Sequence, residues 1–337
     1  METQTLPSST YRDVLKQAFK IAKNHRFLWF FGFFAAFFGV GGELEPLFRN
    51  YTNISETSKR VFDLNYFFRG GVIESVYSNV KLFFGLYPWQ AFFFVLMILA
   101  IVLVIIWLAI VAQIALFDAA HKLSKNKEVR YHDGYRVGNR HFGTVFLINI
   151  LTKVIVYGLF TVVAAPLMTW FLVQSNLWGG ILFLFLIFFI LIPISIIVSF
   201  MVKYAVAYVV IKDKQAGEAV RLGWGLFKKN WLISLEMAFL ILAIGLGVGL
   251  AILLCIGIAS VPFLLIGIAA LFFGSQTGFA VAFALGTITW FVIAAIIGSA
   301  FVAFQYSAWT LLFLKLVEEK AQSKLLRWFG KLSLGRT

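Results

Sequence analysis

The chain has 337 residues, 61% of them hydrophobic and only 13% charged, with a net charge of +14. A soluble domain carries roughly 45–50% apolar and about 25% charged residues, so the composition excludes an ordinary soluble protein. Long apolar runs account for the difference and predict one integral membrane domain, residues 1–337, made of several spanning helices.

The basic balance does not point to nucleic acid, because Lys and Arg gather on the cytoplasmic side of membrane proteins and raise their charge for that reason alone. The single cysteine, Cys255, excludes an intramolecular disulfide or a Cys-based metal site, and its apolar surroundings predict a small core residue. No classical signal peptide is expected, since the first apolar run follows a long charged segment.

Taken in order, residues 1–26 are polar and basic. Thr10 and Asp13 match a capping box, and Tyr11, Val14, Leu15, Ala18, Phe19 and Ala22 recur at helical spacing. Lys16, Lys20 and Lys23 lie on the other face, which predicts an amphipathic helix along the membrane surface. The first span is Phe27–Gly42, with Gly32, Ala35, Ala36 and Gly39 as small residues for close helix contact. Residues 43–88 form a polar external loop in which Val72–Leu86 suggests an interfacial helix.

Span two, Trp89–Phe117, leads to a charged loop, Asp118–Phe142. Span three, Gly143–Val173, contains Lys153. A turn at 174–176 precedes span four, Trp178 to Ile211, where Pro193 predicts a kink. The segment Ala216–Lys229 is the second amphipathic helix, with Arg221, Lys228 and Lys229 on its polar face. Span five starts at Trp231 and contains Glu236; Gly245 and Gly249 predict a packing face. Residues 257–273, broken by Pro262, read as a re-entrant segment, a tilted extension or a span of their own. The last run, Gly278–Val317, reads as a span to Phe301 continued by an interfacial helix, and a basic tail, 318–337, closes the chain.

Lys and Arg number five before residue 27 and six in each of 118–142, 203–230 and 315–337, against five in 43–88 and none in the other two connections. The positive-inside rule therefore makes both termini cytoplasmic and favours an even count of six spans. Aligning Lys23-Asn24 with Lys229-Asn230 brings Val14 onto Val220, Phe33 onto Phe239 and Gly39 onto Gly245. A weaker copy lies at 133–142. The expected fold is thus an all-α polytopic membrane helix bundle, its six spans arranged as three helix-pair repeats with cytoplasmic amphipathic helices.

The segment YAVAYVVIKDKQAGEAVRLGWGLFKKNW, with Glu218-Ala219 and Arg221, resembles the glycerophosphodiester phosphodiesterase membrane-domain family and its stand-alone YciC-like relatives. The close YSAWTLLFLKL resembles the last helix of that group. Gly223 departs from the pattern, which has Ser there, and the phosphodiesterase domain itself is absent. The resemblance implies a prokaryotic inner-membrane protein of undefined role, and no enzyme activity carries over.

Nor do the residues themselves suggest an enzyme: paired carboxylates, a nucleophile with a base and a histidine cluster are all lacking. His25, His121, His132 and His141 fit no ligand spacing, so no metal or other cofactor is expected. The lipid bilayer is the expected partner. Lys16, Lys20, Lys23, Arg221, Lys228 and Lys229 are candidate contacts for anionic phospholipid headgroups; positive-inside orientation alone also accounts for them. Lys153, Lys203 and Glu236 lie inside apolar runs, where ionisable groups are costly, and Glu236 with Lys203 is the candidate intramembrane pair. The expected function is non-enzymatic, in membrane organisation or lipid or partner binding; the alternative is a small transporter or channel.

Overall fold

Apolar runs fold into helices because hydrocarbon offers the backbone no hydrogen-bond partner but itself. The structure, a computed structural model, describes residues 10–37, 85, 88–174 and 177–318, with only the backbone described for 10, 37, 159–160, 162–174 and 177–192. The loop 43–88 (its residues 85 and 88 apart), Val72–Leu86 within it, Gly39, most of the turn at 174–176 and the tail beyond Glu318 lie outside the described residues. Among the described residues eight helices follow in order: α1 (Thr10–Asn24), α2 (Phe27–Phe37), α3 (Pro88–Ser124), α4 (Tyr131–Gln174), α5 (Leu177–Lys212), α6 (Ala216–Lys229), α7 (Trp231–Phe272) and α8 (Gln276–Val317). Five of them contain stretches long and apolar enough to cross a membrane; α2 is apolar but shorter. All the described secondary structure is helical, and the architecture is that of an integral membrane protein.

The chain divides into two units, one of Met1–Glu43 with Ala109–Thr337 and one of Leu44–Leu108. The second unit contributes the first part of α3, where Phe92 to Ile105 is largely exposed and apolar. A helix apolar all round suits lipid, not water. In the first unit, α8 is the axis: α7, α2 and α1 all pack against it, while α6 and α4 pack on α5.

Several expectations are corrected. Most of the predicted loop 118–142 is helix. Asp118 and Lys122 pair at 2.7 Å one turn apart, and Ala119 and Ala120 are buried, so α3 runs on to Ser124. It stops in a Schellman motif: Asn126 takes φ +56, Lys127 N–H donates to the Lys122 carbonyl and Asn126 N–H to that of Leu123. The chain then enters α4 at Tyr131, where Asp133 accepts from the Arg130 N–H at 3.1 Å. The 133–142 segment therefore continues straight into its span, with Phe142 stacked on Phe146 across the join, and no surface helix separates from it.

Pro262 does not break α7, which is one 42-residue helix, and α8 is another of 42 residues without a separate interfacial piece. Each is about 63 Å long at ~1.5 Å per residue. Gly274 (φ +69) and Ser275, whose side chain accepts from Gly278 N–H, turn the chain between them. Gly245 meets Phe301 of α8, but open space surrounds Gly249, so only one of the two glycines serves the predicted packing face. Cys255 is exposed on α7 and not a core residue.

The two segments expected to be amphipathic form α1 and α6, whose limits lie within a residue of those predicted. Their apolar faces, however, are occupied by the bundle. Val14, Ala18, Ile21 and Ala22 of α1 are buried, and α1 packs on α8; Ala219, Gly223 and Phe227 of α6 are buried, and α6 packs on α5. Packing on protein thus accounts for the apolar spacing in both segments.

Candidate functional site: a buried polar seam and a basic rim

The interior of the first unit is polar where α3, α4, α5, α7 and α8 meet. On α3, Gln113 is fully buried and its Oε1 accepts from Asn149 Nδ2 of α4 at 3.0 Å. Asn149 Nδ2 also donates to the Val145 carbonyl, which anchors it to its own helix. On α5, the Tyr204 hydroxyl bonds Ser234 Oγ of α7 at 2.6 Å. One residue before it, Lys203 is only 2% exposed, and its Nζ lies 4.5 Å from the ring centroid of Trp309 on α8. A desolvated ammonium over an indole face gains a cation–π attraction of about 2 kcal/mol.

Aromatic contacts join these pairs into one seam. Phe117, one turn after Gln113, meets Tyr306 edge-on at 5.3 Å, and Trp309 meets both Phe200 and Tyr204. Four buried polar atoms along it, Gln113 Nε2, Gln305 Oε1, Tyr306 OH and Trp309 Nε1, bond no described residue. Most buried polar groups in proteins have a partner, so such a concentration is unusual.

Of the predicted intramembrane residues, Lys203 sits in this seam. Glu236 is half-buried on α7, two residues past Ser234, so it shares a helix with the group that holds Tyr204. Lys153 is half-buried on α4, one turn past Asn149.

Gln113, Asn149 and Gln305 escaped the sequence reading, since one amide in a long apolar run carries no periodicity; Tyr306 and Trp309, expected in an interfacial helix, are buried in the bundle instead. A signal was nonetheless present. Gln113-Ile114-Ala115, Lys203-Tyr204-Ala205 and Gln305-Tyr306-Ser307 each place a polar residue two before a small one, and all nine residues are buried.

The second candidate is the rim formed by α1, α6 and the start of α4. Lys16, Lys20, Lys23, Arg221, Lys228 and Lys229 are all exposed. Exposed aromatic rings lie among them: Phe19 (60%) between Lys16 and Lys20, and Trp224 between Arg221 and Lys228. The corners that end these helices are alike. His25 Nδ1 lies 3.1 Å from the Ile21 carbonyl, and Asn230 Nδ2 donates to that of Leu226 at 3.1 Å, so each side chain serves a carbonyl that the helix end leaves open. The short turn after α5 joins the rim through Asp213, which accepts from Arg140 at 3.0 Å and lies 3.7 Å from His141. His121, His132 and His141 therefore fall along this rim or its edge, and among the described residues no three His, Cys, Asp or Glu side chains converge.

Comparison with known proteins gives no relative: no family model, no curated protein and no solved structure matches the chain.

Proposed function

We propose that this is a non-enzymatic integral membrane protein whose basic cytoplasmic rim binds anionic phospholipid headgroups and so organises the membrane around it. One observation carries the reading: α1 and α6 bury their apolar faces against the bundle, while their lysines and arginines, with Phe19 and Trp224 among them, stay exposed. Aromatic rings beside basic groups suit the headgroup layer, where apolar and charged surroundings meet. In this reading both termini are cytoplasmic in a prokaryotic inner membrane, and the span begun by α2 is the first of six. The units α1–α2 and α6–α7, with their matching corners at His25 and Asn230, are two copies of a repeat whose middle copy has straightened into α4. The resemblance to the phosphodiesterase membrane-domain group fits the same layout.

Mass spectrometry of lipid retained after mild solubilisation tests this. Anionic phospholipid should be enriched over zwitterionic lipid. Changing Lys16, Lys20, Lys23, Arg221, Lys228 and Lys229 to Gln together should reduce the enrichment at least about tenfold, at roughly 1 kcal/mol per near-surface cation with incomplete additivity. Equal retention in both proteins would contradict it.

A second reading, a small transporter or channel, draws on the buried seam from Asn149 to Ser234, because polar groups inside a membrane bundle commonly mark a pathway. An ion flux in proteoliposomes that disappears in a folded Gln305→Leu variant would favour it over the first.

A further inference from the structure

We infer that the start of α4 is a phospholipid-binding site in which the headgroup phosphate meets His132, Arg136 and Arg140 and an acyl chain runs along Leu147, Ile150, Leu151 and Val154. The inference rests on the headgroup reading above and extends it to residues outside α1 and α6.

The observation behind it is the straight run of α4 from the rim into its span. At about 100° per residue, His132, Tyr135, Arg136, Asn139 and Arg140 share one face. Gly143, Leu147, Ile150, Leu151 and Val154 continue that face, and all of these residues are exposed. The opposite face, with Gly134, Gly138, Val145, Ile148 and Asn149, is buried; the two glycines lie against Ala115 and Val111 of α3. The exposed face thus changes from basic to apolar within two turns. Arg140 and Leu147 are seven residues apart, about 10 Å along the axis, which is the scale of a phosphate-to-acyl distance across a glycerol backbone. Gly143 stands midway on the face, and open space surrounds its Cβ position, so nothing obstructs the passage.

The basic end is a shallow concavity of about 350 Å³ lined by His132, Tyr135, Arg136, Asn139 and Arg140, with no carboxylate in its lining. Asp213 approaches Arg140 from the His141 side. Arg guanidinium groups bind phosphate oxygens through paired N–H donors, and Tyr and Asn add neutral donors. Charge alone fits a free phosphate as well; the apolar stripe that continues the face favours a lipid.

The test uses the full chain in mild detergent. Native mass spectrometry measures phosphatidylglycerol and phosphatidylcholine adducts, and a parallel series measures inorganic phosphate. Phosphatidylglycerol should bind more tightly than phosphatidylcholine. R136Q, a change on an exposed side chain, should weaken phosphatidylglycerol binding about fivefold, and Leu151→Ser should also weaken it. Millimolar inorganic phosphate should not displace the lipid.

If R136Q binds phosphatidylglycerol like the parent while Lys228→Gln with Lys229→Gln weakens it, this site is wrong and the headgroup reading stands. If no charge variant weakens binding, both fall. Binding of inorganic phosphate that depends on Arg136, with no lipid preference, would overturn the lipid assignment in favour of a soluble phosphate.

Discussion

Gly223→Ala is expected to destabilise the protein, while Gly225→Ala, two residues away on the same helix, is expected to stabilise it slightly. In a free helix both changes gain about 0.5–1 kcal/mol, because Ala fixes the helical backbone better than Gly. The surroundings separate them. A Cβ on Gly223 would lie 2.9 Å from the Ala205 backbone nitrogen and 3.0 Å from the Met201 carbonyl oxygen, whereas one on Gly225 would meet open space. Backbone cannot yield as a side-chain tip can, so α6 must move off α5 as a whole. An overpacking cost of about 1–3 kcal/mol then exceeds the propensity gain. Gly32 poses the same test between α2 and α8, since a Cβ there would overlap the Ser299 carbonyl oxygen. Thermal unfolding in detergent should place Gly223→Ala below the parent and Gly225→Ala at or above it. Equal shifts in the two would mean that α6 does not dock on α5.

The second large effect is expected at the intramembrane charges. We propose that Glu236 pairs with Lys203. Glu236 lies six residues past the Asn230 corner, about 9 Å in, and Lys203 nine residues before Lys212, about 13 Å in from the same end. The Tyr204–Ser234 bond brings their helices together at this level. Lys203 is 2% exposed and Glu236 half-buried, so the losses should be unequal. Glu236→Gln removes the carboxylate from beside a deeply buried ammonium and should cost about 3 kcal/mol. Lys203→Met leaves a carboxylate that can reach a wetter surrounding or take up a proton, and should cost less. The double variant should regain part of the loss. Simple additivity of the two single losses in thermal stability would show that the residues are not paired.

Much of the layout was legible because it rests on local rules. Ala216–Lys229 could be delimited from the spacing of Ala219, Gly223 and Phe227 against Arg221, Lys228 and Lys229, and the structure has the same limits. Turn chemistry was harder to read. Lys125 to Arg130 shows as a charged stretch, and its charges suggested a loop from Asp118 to Phe142; the Asp118–Lys122 pair and buried alanines keep the first flank helical, and Asp133, accepting from the Arg130 N–H, opens the helix of the second. Pro262 and Pro193 both lie inside continuous helices, as neighbouring helices in membranes can satisfy the carbonyl that proline leaves open.

The seam was the least legible part. Whether Gln113 faces lipid or protein depends on which helix lies beside α3, and a single sequence does not state that. Cys255 failed for the same reason: an apolar neighbourhood in sequence says nothing about which side of a long helix meets lipid.

The central claim is that the basic rim lies on the cytoplasmic side, where anionic headgroups and positive-inside charge coincide. Cysteine accessibility measures this directly. With Cys255 replaced by serine, Ser124→Cys at the end of α3 and Ser58→Cys in the 43–88 loop are each exposed to a membrane-impermeant thiol reagent in intact cells. Ser58→Cys should react at once, and Ser124→Cys only after the membrane is opened. Labelling of Ser124→Cys in intact cells would place the rim outside and contradict the account.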